Sequence, residues 1–176
     1  ASLHGPYTPQ SVSTDNTGAA EGYFIGVDAP QWGLLQVRRI SSPGGTPTIS
    51  ANLGINVPAT FFPVDVPAKG SSPLFLDGLD DRLGTAILRN GTLWVAHGIG
   101  VNSSGVADTS SNRRCGERFY EIKNLTSTPT LNQAGTFFSS AVTDPRHFWM
   151  PSVAASGQGH VALCSSFAGT ADFAGA

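Results

Sequence analysis

The densest run of reactive side chains is Asp77-Gly78-Leu79-Asp80-Asp81-Arg82, with three carboxylates in five residues beside a glycine. Three chemistries suit such a run. Carboxylate and carbonyl oxygens on a tight loop can hold a hard cation such as calcium, although the alternating acidic positions and distal Glu of an EF-hand are absent. Two carboxylates roughly 5 to 9 Å apart can serve as acid and base on a glycosidic bond. An Asp–Arg pair can simply pin the loop. Spacing alone leaves the three open.

His97 closes the run Thr92-Leu93-Trp94-Val95-Ala96. Strand periodicity puts it on the face of Leu93 and Val95. Asn90-Gly91 between two apolar runs is a strong hairpin signal. An antiparallel return there brings His97 beside Asp81 and Arg82. A second polar cluster, Arg113, Arg114, Glu117 and Arg118, precedes another strand. Arginine forks grip carboxylates and suit anionic sugars. Trp32, Trp94, Tyr120 and Trp149 could stack a sugar ring or fill a core. The candidate ligand-binding residues are therefore Asp80, Asp81, Arg82, His97, Arg113 and Arg114, with no catalytic residue assigned and no cofactor expected beyond the calcium option. His147 and His160 have no partner pattern. No phosphate loop, nucleophile elbow or Cys/His arrangement is present. Asn90, Asn102 and Asn124 begin N-x-S/T strings, acceptors in a eukaryotic secreted chain.

These residues need a scaffold, and composition restricts which. The 176 residues carry net charge −2, only 12% charged side chains, 21 Gly and 12 Pro. Nucleic-acid binding needs clustered Lys and Arg, and the only lysines are Lys69 and Lys123. No apolar run reaches the ~18 residues of a membrane helix, and the start of the sequence lacks the pattern of a signal peptide. Frequent Gly, Pro, Ser and Thr interrupt every helical window. Cys115 and Cys164 form no zinc-type pair. Cys164, within Val161-Ala162-Leu163-Cys164, reads as a buried thiol.

The expectation is an all-β chain of antiparallel strands. Tyr23–Val27, Leu34–Ile40, Thr46–Ser50 at an edge, Gly84–Leu88, Thr92–Ala96, Phe119–Ile122, Pro151–Ala155 and His160–Leu163 read as extended. Residues 57–79 hold four prolines and read as a long functional loop. Segments also recur. Ile40 and Pro47 reappear as Ile122 and Pro129, a shift of 82 positions in both cases. Tyr23, Leu93 and Val161 open similar strands 70 and then 68 positions apart. A repeated strand-only unit of roughly 70 residues indicates propeller blades of four strands. The units run approximately 22–92 and 93–160, with 161–176 starting another. Propellers close with ~4–8 blades, so about two and a half units form an incomplete ring whose open edges need further blades or other copies.

The strings Leu79-Asp80-Asp81-Arg82-Leu83, Arg89 to His97, Arg118-Phe119-Tyr120-Glu121-Ile122 and Trp149-Met150-Pro151-Ser152-Val153 resemble secreted bacterial β-propeller proteins of sialidase-like or BNR-like type. The resemblance spans about Gly22 to Gly169. It implies export and a propeller, not a reaction. Asn90-Gly91-Thr92-Leu93-Trp94 keeps a Gly and a Trp of the sialidase Asp box without its Asp, and no arginine triad can be placed, so sialidase activity does not carry over. The expected protein is a secreted or cell-surface binding module for a glycan or surface polymer. A glycoside hydrolase or lyase using Asp80 and Asp81, or a structural subunit assembling through open edges, are the alternatives.

Overall fold

The computed structural model describes residues 4–42, 44–71 and 73–176, and among these residues it contains strands and no helix. Three antiparallel meanders follow one another. The first joins β1 (Pro6–Thr14), β2 (Glu21–Asp28) and β3 (Leu34–Ser41), with β4 (Thr48–Ile49) and β5 (Leu53–Asn56) both pairing with β3. The second runs β6 (Ala86–Arg89), β7 (Thr92–Val101), β8 (Arg114–Lys123) and β9 (Thr130–Phe137). The third is β10 (His147–Ala155), β11 (Val161–Gly169) and β12 (Asp172–Gly175). The expected all-β class is what is observed.

The meanders are joined through their first strands. β1 and β6 pair in parallel, Val12 with Ala86 through Thr14 with Leu88, which makes one sheet of the first two meanders. β10 packs chiefly on β7 and β8. The recurring segments occupy equivalent places. Tyr23, Leu93 and Val161 lie in the second strand of each meander, and Ile40 and Ile122 in the third strand of the first two.

Local chemistry explains the turns. Arg89 pairs with Thr92 around Asn90-Gly91, both at positive φ (49° and 74°). This is the geometry of a two-residue primed turn, which Asn-Gly adopts at least cost. The three N-x-S/T asparagines all serve turns. Asn90 and Asn124 sit at positive φ, and the Asn102 side chain accepts from the Ser104 and Val106 amides.

Two cores hold the meanders together. Ile25, Val27, Leu35, Val37 and Ile55 of the first pack against Leu93, Val95, Tyr120 and Ile122 of the second and Leu83 just before it. A smaller cluster, Val66, Cys115, Trp149 and Ala168, joins the second meander, the third and the 57–85 segment. Each buried Leu, Ile or Val contributes about 1.5–3 kcal/mol of transfer free energy, well above the ~0.2–1 kcal/mol of an exposed ion pair. Apolar packing therefore fixes the geometry that the polar groups inherit. Both thiols are free. Cys115 is buried, but Cys164 is exposed, contrary to its reading from sequence, because its strand faces outward there.

Candidate functional site

The Asp77–Arg82 run forms the irregular approach to β6. Asp77 accepts from the Leu79 amide (2.8 Å) and Asp80 from the Arg82 amide (3.0 Å), so each aspartate closes its own small turn. Gly78 is required because a Cβ there would lie 2.1 Å from the Val64 carbonyl oxygen. Past the loop, Leu83 bridges to His97 and the Gly84 amide bonds the Ala96 carbonyl, extending the β6–β7 ladder back to the loop.

His97 anchors the arrangement from below. It is completely buried, with Nδ1 2.6 Å from the Asp81 carbonyl oxygen and Nε2 2.9 Å from the Tyr120 hydroxyl. A carbonyl only accepts, so Nδ1 carries the proton and the Tyr120 hydroxyl donates to Nε2. Burial pushes this imidazole down to about 4, hence neutral. His97 thus holds the Asp81 backbone and does not reach solvent.

The three charged groups above it differ. Arg82 forks onto Asp80 at 2.7 and 2.8 Å, and the Tyr7 hydroxyl donates to the same carboxylate at 2.9 Å. Arg82 chiefly holds Asp80 down to about 2. Asp81 is 5% exposed and its carboxyl receives a hydrogen bond from its own backbone amide but none from another side chain. Burial, aided by the Asp80 charge, pushes its carboxyl up to about 6.

Asp80 and Asp81 line a cleft of about 300 Å³ together with Tyr7, Asp28, Trp32 and Phe62. Asp28, at the end of β2, accepts from the Gly5 amide (3.1 Å), from Gln36 Nε2 (2.8 Å) and from His4 Nδ1 (2.8 Å). Trp32 and Phe62 meet edge-on with ring centres 4.6 Å apart, and both remain over 40% exposed. Tyr120 and Trp149, by contrast, are core residues. A larger hollow of about 480 Å³ lies at the opposite end of the strands, among hairpin turns. Its carboxylates are already matched, Asp15 to Arg89 and Glu21 to Arg39.

The second sequence cluster does not stay together. Arg113 lies over the Phe61 ring at 5.2 Å and donates to the Phe62 and Ser110 carbonyls, so it braces the aromatic wall. Arg114 is buried and donates to the Ser139 and Ala141 carbonyls, tying down the chain after β9. Arg118 bonds Thr136 Oγ1 at 2.7 Å. Glu117 alternates to the other face of β8, fully buried, with neither carboxylate oxygen in a hydrogen bond of good geometry. Burial pushes it up to about 8, with the Ser165 hydroxyl acting weakly against this.

Among the described residues no group of three or more His, Cys, Asp or Glu side chains converges as metal ligands, and Asp80 is spent on Arg82. The structure brings together Asp80, Asp81, Arg82 and His97, places Arg113 as a brace behind the aromatic wall, and leaves Arg114 as a brace elsewhere. Tyr7, Asp28 and Phe62 had no local signal in the sequence, since their neighbours at the cleft lie far away along the chain. Comparison with family models, with curated proteins and with solved structures finds no match to this chain.

Proposed function

We propose that this chain is part of an exported, sialidase-like β-propeller whose end cleft binds a glycan or similar surface polymer. The observation that carries the binding reading is the cleft itself. Exposed Trp32 and Phe62 offer apolar faces for the C–H side of a sugar ring, while carboxylates and Tyr7 offer partners for its hydroxyls. Hydroxyl-rich ligands need that combination of aromatic face and acceptor oxygen.

The propeller reading is supported by direction and order. Blades related by rotation about an axis must run their innermost strands the same way, and β1 and β6, each opening a meander, do run parallel, here hydrogen-bonded into one sheet. Further blades, from this chain or from other copies, would cover the β10–β12 sheet and the remaining edges. Among the described residues no helix is long and apolar enough to cross a membrane.

One observation favours a second reading, a glycoside hydrolase or lyase. Neighbouring carboxyls at about 2 and about 6 are the divided pair that acid/base catalysis uses. Asp81→Asn would then abolish turnover of a fluorogenic glycoside panel.

A glycan array followed by titration calorimetry tests the leading reading. Binding should weaken about tenfold or more in Trp32→Ala, on the scale of one stacked aromatic. Silence of the folded protein across neutral, acidic and basic glycans would overturn it.

A further inference from the structure

We propose that the cleft selects amino sugars, its ligand presenting a protonated amine to Asp81 while the ring lies against Trp32 and Phe62. The inference rests on the glycan reading above and narrows it.

The charge pattern carries the argument. Three carboxylates, Asp28, Asp80 and Asp81, line the cleft, and its wall contains no lysine or arginine. Two of them are already satisfied. Asp80 has the Arg82 fork and the Tyr7 hydroxyl. Asp28 has the Gly5 amide, Gln36 and His4. Asp81 has no side-chain partner and no cation, only a hydrogen bond from its own backbone amide, although the residue is just 5% exposed. Its backbone carbonyl is occupied by His97, which fixes the residue in place.

A buried carboxylate without a counter-charge is costly, and a cation compensates it better than a neutral hydroxyl does. Arg82 cannot supply that charge without abandoning Asp80. His97 beneath is neutral and bonded on both nitrogens. An anionic sugar would instead add a fourth negative charge to the site. Arg113 and Arg114, the groups suited to receive it, donate to backbone carbonyls. Aromatic faces next to carboxylates favour a cation held on an apolar ring, because each ring face is a weak electrostatic acceptor. An amine borne on a sugar meets both conditions at once.

The test is calorimetric titration of the intact protein at pH 6 with a short glucosamine oligomer and with its fully N-acetylated counterpart of equal length. The two differ at the nitrogen alone, a cationic amine in one and a neutral, bulkier acetamide in the other. The amine form should bind at least about tenfold tighter. In Asp81→Asn that preference should shrink to near parity, while the weaker binding of the acetylated form persists. Should Asp81→Asn fold poorly, repeating the wild-type comparison at a pH where the amine is neutral still decides, since a charge-based preference disappears there and a steric one persists and overturns the inference. Equal binding, or tighter binding of the acetylated oligomer, overturns the inference and leaves the glycan reading standing. So does binding of other neutral glycans with none of either probe. Absence of binding to any glycan overturns both.

Discussion

His97 and Asp81 are joined through a histidine side chain and a backbone oxygen, Nδ1 donating to the Asp81 carbonyl at 2.6 Å from a completely buried position in β7. The strand core therefore sets where the cleft's carboxylate stands. The hairpin around Asn90-Gly91 brings these two residues together across sixteen positions of sequence. His97→Ala would open a cavity, leave the Asp81 carbonyl without its donor and take from the Tyr120 hydroxyl its acceptor, Arg118 remaining as a donor to it. Unsatisfied buried groups and lost packing together cost about 2–4 kcal/mol. Urea denaturation should show that loss, and an unchanged midpoint would remove His97 from its anchoring role.

Glu117 offers a test of opposite sign. Its carboxyl is raised to about 8 against an ordinary value of 4.5, so the unfolded chain gives up this proton first as pH rises. The contribution is present below about 4.5 and is lost as pH climbs through 8, because ionisation then costs the fold alone. Glu117→Gln keeps the shape of the protonated acid. The variant should match the wild type near pH 4.5 and exceed it by about 2–4 kcal/mol at pH 8.5. Denaturation curves at the two pH values check this. A wild type equally stable relative to the variant at both would show that the carboxylate is solvated.

Sequence exposed the elements whose signals are local. Asn90-Gly91 named its hairpin because few other dipeptides tolerate two positive φ values, and the alternating apolar residues of β2, β3 and β7 declared their strands. The neighbourhood of Asp81 and His97 followed from that hairpin. β1 was not anticipated. It is rich in Ser, Thr and Gln, carries two prolines, and alternates only between half-buried and exposed, so no apolar period marks it. The Arg113–Arg118 cluster looked like one site because sequence neighbours look adjacent, whereas alternation along β8 sends Glu117 and Arg118 to opposite faces. Tyr7 and Phe62 reach the cleft through sheet pairing and the 57–85 segment, long-range contacts that no local pattern encodes.

β1 nevertheless delivers Tyr7 to Asp80, and its seat against β2 is unusually close. A Cβ on Gly26 would lie 2.5 Å from the Tyr7 carbonyl oxygen and 2.9 Å from Pro6 Cβ. Gly26→Ala should therefore push β1 outward, at a cost of about 1–3 kcal/mol, typical of overpacking. Because Tyr7 moves with its strand, glycan affinity should fall along with the midpoint of thermal unfolding. Retained affinity in a destabilised variant would detach Tyr7 from ligand binding.

The two cysteines report on separate faces of the molecule. Cys115 is buried between the second and third meanders, and burial pushes its thiol up to about 12. Both inaccessibility and the scarcity of thiolate should make it inert in the folded chain. Cys164 lies exposed on β11, which pairs with β10, in the sheet that the proposed propeller reading leaves for a further blade or another copy. In dilute solution one thiol per chain should react promptly with an aromatic disulfide reagent, and the second only after denaturant is added. Two prompt thiols would contradict the packing around Cys115. Repeating the titration at rising protein concentration separates the assembly states. Protection of Cys164 that grows with concentration would mark a copy docking on the β10–β12 sheet, and reactivity independent of concentration would rule out that face as a contact between copies.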